Sequence, residues 1–226
     1  MSAFFITGTG TDVGKTFVTA GLVRYLRSHG KVVAALKPVV SGFDPAASAG
    51  SDPAILLDAL GRPCSEAEYA RISPFRYRAP LSPDMAARLE KRPLDVNAVI
   101  EFCEAAVAGT KGTLFIEGVG GIMVPLDDRA TVLDLMIRLR LPIILVAGAY
   151  LGTISHILSA LDVLLGRGLE VKALVISETA DSSPPLDETA ATLAHFVATP
   201  LVLLRRQMAP PMDLAPFERL AELCGP

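Results

Sequence analysis

Apolar residues in this chain fall into two alternating rhythms. Short runs at Ala3–Ile6, Lys31–Leu36, Thr113–Ile116, Pro142–Ala147, Leu169–Ser177 and Thr199–Leu204, almost all of them continuously apolar, read as the strands of a buried parallel sheet. Between them the spacing turns helical. Over Thr16–Ser28, Val18, Leu22, Val23 and Leu26 share a face, and Gly30 follows as a stop. Ser51-Asp52-Pro53, a capping residue followed by proline, opens a helix that runs to Leu60. Further helices are predicted over Asp95–Ala108, Ala130–Leu139, from Gly152–Ser155 to Leu165, over Leu186–Val197 and over Asp213–Leu223, with a loop at Ser182–Pro185. Pro63–Arg92 is rich in proline, charge and aromatics and keeps no clean period, so it reads as an excursion over the sheet that walls a pocket. Strands alternating with helices predict an α/β fold with a mainly parallel sheet flanked by helices. Neither a second core nor a linker interrupts it, so residues 1–226 are expected to form one domain.

Composition narrows the class. Of 226 residues, 51% are hydrophobic, enough for a sizeable core. A net charge of −3 without a basic run argues against nucleic acid as a partner. The most apolar stretch, Leu141–Leu151, contains Pro142 and is too short to span a bilayer, so no membrane partner is expected. Met1–Ile6 leads into a glycine-rich turn with no charged n-region and no long apolar core, which reads as the absence of a secretory leader. Cys64, Cys103 and Cys224 stand far apart with no Cys-x-x-Cys, as reduced thiols of a cytoplasmic protein do.

The chemistry gathers at strand ends. Gly8-Thr9-Gly10-Thr11-Asp12-Val13-Gly14-Lys15-Thr16 joins the first strand to the first helix, the setting of a phosphate-binding loop. Its backbone N–H groups and the helix start point at one spot and take an anion there. Lys15 adds charge over the outer phosphates, and the Thr16 hydroxyl suits Mg²⁺. The pattern is imperfect, with Thr9 where a glycine is usual and Gly8 one step earlier. Asp12 is either a turn residue or a contact to nucleotide or substrate. Lys37, in Lys37-Pro38-Val39-Val40-Ser41-Gly42, ends the second strand, where ligands of open parallel sheets collect. A second cation there neutralises charge as a phosphoryl group moves. Ser41 is a turn serine or a hydrogen-bond partner for a polar substrate. Asp52, taken alone, reads as a helix-start residue, with a magnesium ligand as the alternative. Glu117, before Gly118-Val119-Gly120-Gly121, is a strand-end carboxylate that is costly to bury unless it meets a cation.

These blocks, together with Leu151-Gly152-Thr153-Ile154-Ser155-His156, resemble the ATP-dependent dethiobiotin synthetases, in family order across about residues 3 to 180. The resemblance implies a P-loop NTPase-type fold and a homodimer whose site lies near the subunit interface. It implies 7,8-diaminononanoate, CO₂ and ATP as small-molecule substrates, with Mg²⁺ as cofactor. It makes Lys37, Lys15 and Thr11 catalytic, and Thr16, Asp52 and Glu117 the magnesium ligands. Asp12, Val13, Gly14, Phe17, Gly118, Val119 and Gly120 would border the nucleotide, with Ser177 and Glu178 where the family usually reads adenine with an asparagine. Ser41 and Thr11 would meet the diamine. Gly152, Thr153, Ile154 and Ser155 would receive its carboxylate from the partner subunit. A late Ile-Pro pair of the family is replaced by Arg205-Arg206. Two competing readings are a partitioning-type regulatory ATPase and a nucleotide-binding module without chemistry. The first usually carries an extra lysine early in the loop, where this chain has Gly8, Thr9 and Gly10; the second has no need of Lys37 and Ser41.

Overall fold

The computed structural model describes residues 2–179, 184–206 and 213–225. Six strands form one parallel sheet: β1 (Ser2–Gly8), β2 (Val33–Leu36), β5 (Thr113–Glu117), β6 (Ile143–Gly148), β7 (Val171–Ser177) and β8 (Leu201–Leu204), in the order β2-β5-β1-β6-β7-β8. Every residue of β6 is buried, as expected for an unbroken apolar run covered on both faces. The parallel register puts the carboxyl ends of β1 and β5 side by side, with Ile6 opposite Glu117. The order reverses about β1, so the crevice beside it is where a ligand of an open α/β sheet belongs.

Helices cover both faces. They are α1 (Lys15–Ser28), α2 (Asp52–Ala59), α5 (Val96–Gly109), α6 (Val132–Leu139), α7 (Thr153–Gly166), α8 (Leu186–Leu193) and α9 (Ala215–Cys224). Their starts are chemically marked. The Ser51 hydroxyl caps α2 at the Ala54 N–H, Asp95 caps α5, and Thr131 with Asp134 forms a reciprocal capping box on α6. The predicted Leu186–Val197 helix stops at Leu193 because the next turn tightens to three-residue bonds, His195 N to Thr192 O and Phe196 N to Leu193 O. Of the loop predicted at Ser182–Pro185, Ser182 and Ser183 lie outside the described residues. No helix among the described residues is long and apolar enough to cross a membrane.

The stretch between Pro63 and Arg92 carries more structure than its lack of period suggests. It holds α3 (Glu66–Ile72) and α4 (Pro83–Leu89), and β4 (Phe75–Arg76), which pairs in parallel with β3 (Val39–Val40) just past Lys37. The Lys37 N–H donates to Ile72 O, so this excursion fixes the strand end that bears the lysine. Tyr69 and Phe43 meet edge to face, and the Arg76 guanidinium lies over both rings. That small cluster holds the excursion against the segment following β3.

Candidate active site

The loop from Gly8 to Gly14 closes tightly over the sheet. Asp12 and Gly14 both adopt left-handed backbone, at φ 56° and 97°. A residue other than glycine in that region is strained, and such strain concentrates where backbone is shaped around a ligand. Gly14 has a second reason to be glycine: a Cβ there would lie 2.9 Å from the Ser177 hydroxyl. The loop hangs from the sheet through Thr9 N to Val146 O and Ile122 N to Gly8 O.

Four charged side chains meet beneath it. The Lys37 ammonium, 2% exposed, donates to Glu117 Oε1 at 2.7 Å and to Gly118 O at 3.0 Å, and pairs with Asp52 Oδ2 at 2.8 Å. Its three protons thus have three acceptors. Burial works to lower the Lys37 pKa, but Glu117 and Asp52 outweigh it and hold the ammonium above its usual range. Partial burial would raise Asp52, and Lys37 reverses that, holding the carboxyl below its usual range. Glu117 is fully buried and accepts from two hydroxyls besides Lys37: Thr16 Oγ1 reaches Oε1 at 2.7 Å, and Thr19 Oγ1 reaches Oε2 at 2.7 Å. Lys15 bonds to Gly10 O at 2.7 Å. Burial first, and repulsion by Lys37 second, lower its pKa to about 8.

A cavity of about 410 Å³ opens onto this cluster, lined among others by Thr11, Asp12, Gly14, Lys15, Thr16, Phe17, Lys37, Ser41, Asp52, Val119 and Gly120. Val13 is buried against Gly8 and Gly10, and Gly118 packs on the Phe5 ring; these two shape the loops from behind. Ser177 sits against Gly14, and the Glu178 carboxylate accepts from the Arg206 N–H at 2.9 Å, one strand further along the same sheet edge. Gly152, Thr153, Ile154 and Ser155 start α7 beyond β6 and do not line the cavity; Thr153 Oγ1 turns back onto Gly148 O at 2.6 Å. A larger hollow of about 600 Å³ runs along the open edge of β2, mostly apolar, and contains none of the predicted residues.

Thr19 was not singled out by sequence pattern. It looks like any small helix position, yet it lies one turn after Lys15 on the face of α1 that meets β5, and it is fully buried. That i, i+4 spacing from the loop lysine is the signal that would have found it.

The donors suit a hard cation. Thr16 Oγ1, Asp52 Oδ2 and Glu117 Oε1 are all oxygens gathered around one point, the donor type Mg²⁺ takes. Among the described residues, no group of three His, Cys, Asp or Glu side chains could hold a metal ion. Such a cation would therefore share these oxygens with phosphate and water, the usual habit of Mg²⁺.

Residues 2–204 match the family model described as an AAA domain. The chain is 52% identical over 208 residues to the ATP-dependent dethiobiotin synthetase of Caulobacter sp. (strain K31), covering 91% of this chain and 89% of the relative. It is 46% identical to that of Acidiphilium cryptum (88% and 91% covered) and 36% identical to that of Pseudomonas aeruginosa (88% and 87% covered). In fold it is similar to the signal recognition particle receptor FtsY of Elizabethkingia anophelis, with a TM-score of 0.53 at 15% identity, covering 99% of this chain and 65% of that one. Loop, strand-end lysine and paired carboxylates thus stand on a backbone of that fold, and the chain belongs to the ATP-dependent dethiobiotin synthetase family.

Proposed function

We propose that the whole chain, residues 1–226, is one synthetase domain that closes the ureido ring of dethiobiotin from 7,8-diaminononanoate, CO₂ and Mg·ATP. One amine takes up CO₂, losing a proton, to form a carbamate. The carbamate oxygen attacks the γ-phosphorus and ADP leaves. The second amine then attacks the carbonyl of the carbamic-phosphoric anhydride, closing the ring with loss of a proton and expulsion of phosphate. Carbamate and triphosphate are both anions, so the step that joins them needs fixed cations more than it needs a nucleophile.

The observation that carries this reading is the placement of Lys37: buried, protonated, and facing the same cavity as Lys15 and Ser41. Lys15 would hold the outer phosphates, with the Gly14 and Thr16 backbone beneath them. Lys37 would follow the charge from carbamate to transferred phosphoryl group. Thr11 and Ser41 would position the diamine, and Asp12, Phe17, Val119 and Gly120 would border the nucleotide. Ser177 and Glu178 would lie toward the base. Thr16, Asp52 and Glu117 would hold Mg²⁺, which would supply positive charge against the phosphates.

The homodimer belongs to the same proposal. The α7 start is set outside the cavity of its own subunit, and Leu151 beside it is 87% exposed. A helix N-terminus is a natural receiver for the substrate carboxylate, and here it is offered to a second copy. A cytoplasmic location without membrane or nucleic acid partners fits free cysteines and a net charge of −3.

The test is phosphate release with Mg·ATP, bicarbonate and diaminononanoate, with the product followed by mass spectrometry. Release that depends on the diamine, and a cyclic urea product, are expected. Release indifferent to the diamine, or no cyclic urea, overturns the proposal.

A further inference from the structure

We infer that Lys37 is the resident counter-ion of the Asp52–Glu117 pair, that a divalent cation must displace its ammonium group, and that the site therefore takes metal only together with nucleotide phosphate. This rests on the assignment of Thr16, Asp52 and Glu117 as the magnesium ligands and adds an order of assembly to it.

The oxygens make the argument. Glu117 Oε1 already accepts from Lys37 and from Thr16, both at 2.7 Å, and so uses both of its lone pairs. Glu117 Oε2 is held by Thr19 at 2.7 Å. Asp52 Oδ2 is 2.8 Å from the same ammonium. Mg²⁺ needs oxygens at about 2.0–2.1 Å, so it cannot take Glu117 Oε1, or sit between that atom and Asp52 Oδ2, while Lys37 holds both. Thr16 can remain, because its hydroxyl donates to Glu117 and keeps its own lone pairs for a metal.

Charge decides when the exchange happens. Lys15 and Lys37 face Asp52 and Glu117, two cations balancing two anions in a largely buried cluster. Bare Mg²⁺ would add two positive charges and leave the buried Lys37 ammonium with Gly118 O alone of its three acceptors, and with no anion. A nucleoside triphosphate arriving with the metal brings acceptors for both lysines. The lysine released from the carboxylates is then free to turn to the phosphates. A metal-only complex, which would occupy the site unproductively, is disfavoured by the same side chain.

The experiment is a Mn²⁺ titration of nucleotide-free protein, read by electron paramagnetic resonance, beside thermal melts with and without Mg²⁺. Wild type is expected to take up little Mn²⁺ and to melt at the same temperature with or without Mg²⁺. Lys37→Met exposes both carboxylates and should bind Mn²⁺ at least about tenfold more tightly. It should melt lower than wild type, with Mg²⁺ restoring it, and Lys37→Gln should behave the same way. If either variant is poorly stable, the rescue by metal is itself the readout. Equal Mn²⁺ affinity in wild type and Lys37→Met overturns the displacement. Titrating both again with a non-hydrolysable ATP analogue separates the two claims. Mn²⁺ uptake with nucleotide that Glu117→Gln does not weaken overturns the metal assignment itself, and the inference with it.

Discussion

The carboxyl edge of the sheet has two unlike halves. Around β1, β2 and β5, every donor and acceptor of the Lys37–Glu117–Thr19 set is matched within the chain, and burial is nearly complete. Around β6 and the start of α7, Leu151 stands 87% exposed and Tyr150 meets His156 hydroxyl to Nδ1 at 2.9 Å on the surface. A set of charges satisfied inside one subunit is stiff and sensitive to any single deletion. Under the proposed dimer, the exposed leucine beside the open helix start would be covered by the second subunit. On that reading the first half serves the chemistry and the second the meeting of subunits.

The sharpest way to break that contrast is Lys37→Ala. It should lower kcat about 10²–10³-fold, the scale of losing one fixed charge-stabilising group. Stopped-flow phosphate release measures it, and unchanged turnover would remove Lys37 from the mechanism. Thr19→Val is next. It strips a charge-assisted bond from a buried carboxylate, worth about 1.5–3 kcal/mol, so a melting point lower by roughly 5–10 °C is expected in calorimetry. A melt within a degree of wild type would mean the buried half is less tightly coupled than its geometry implies.

A third probe is pH. Lys15 titrates near 8 in the folded protein, well below its ordinary 10.5. It is charged below about pH 8 and neutral above, so kcat/KM for ATP should fall about tenfold per pH unit on the alkaline side. Lys15→Arg, which does not titrate in this range, should abolish the break. The stability sign is opposite. Between about 8 and 10.5 the unfolded chain binds the Lys15 proton and the folded one does not, so this group makes folding more favourable as pH rises there. Smallest is Leu151→Asp, on the open half. It should weaken self-association about tenfold, roughly 1.4 kcal/mol, in sedimentation equilibrium, while leaving the monomer's melting point unchanged. A lowered melting point would place Leu151 in the stability of the subunit instead.

Much of this was legible in residue order. The long strands are apolar at their centres, and Ser51-Asp52-Pro53 announces its helix with a capping hydroxyl and a proline. The loop, Lys37 and Glu117 lie where strand ends require. Strand order was not legible, because strands equally apolar carry no mark of their neighbours. The helices α3 and α4 were hidden behind aromatics and prolines, though Ser65 with Glu68 and Ser82 before Pro83 are start signals in their own right. The two-residue strands β3 and β4 are too short for any periodicity to reveal. What the lysine does to Glu117 could not be read at all, since it depends on two residues from different strands meeting at 2.7 Å.

One helix contact reaches further than its position suggests. The Phe217 ring of α9 fills the space over Gly21, where a Cβ would lie 2.0 Å from it, and the ring is fully buried. Gly21 belongs to the same helix that begins with Lys15 and Thr16. The seat of the phosphate loop is therefore completed by a residue roughly two hundred positions later, a contact of the kind that closes late in folding. During synthesis the nucleotide loop therefore waits for a side chain made long after it before the helix behind it is fully packed.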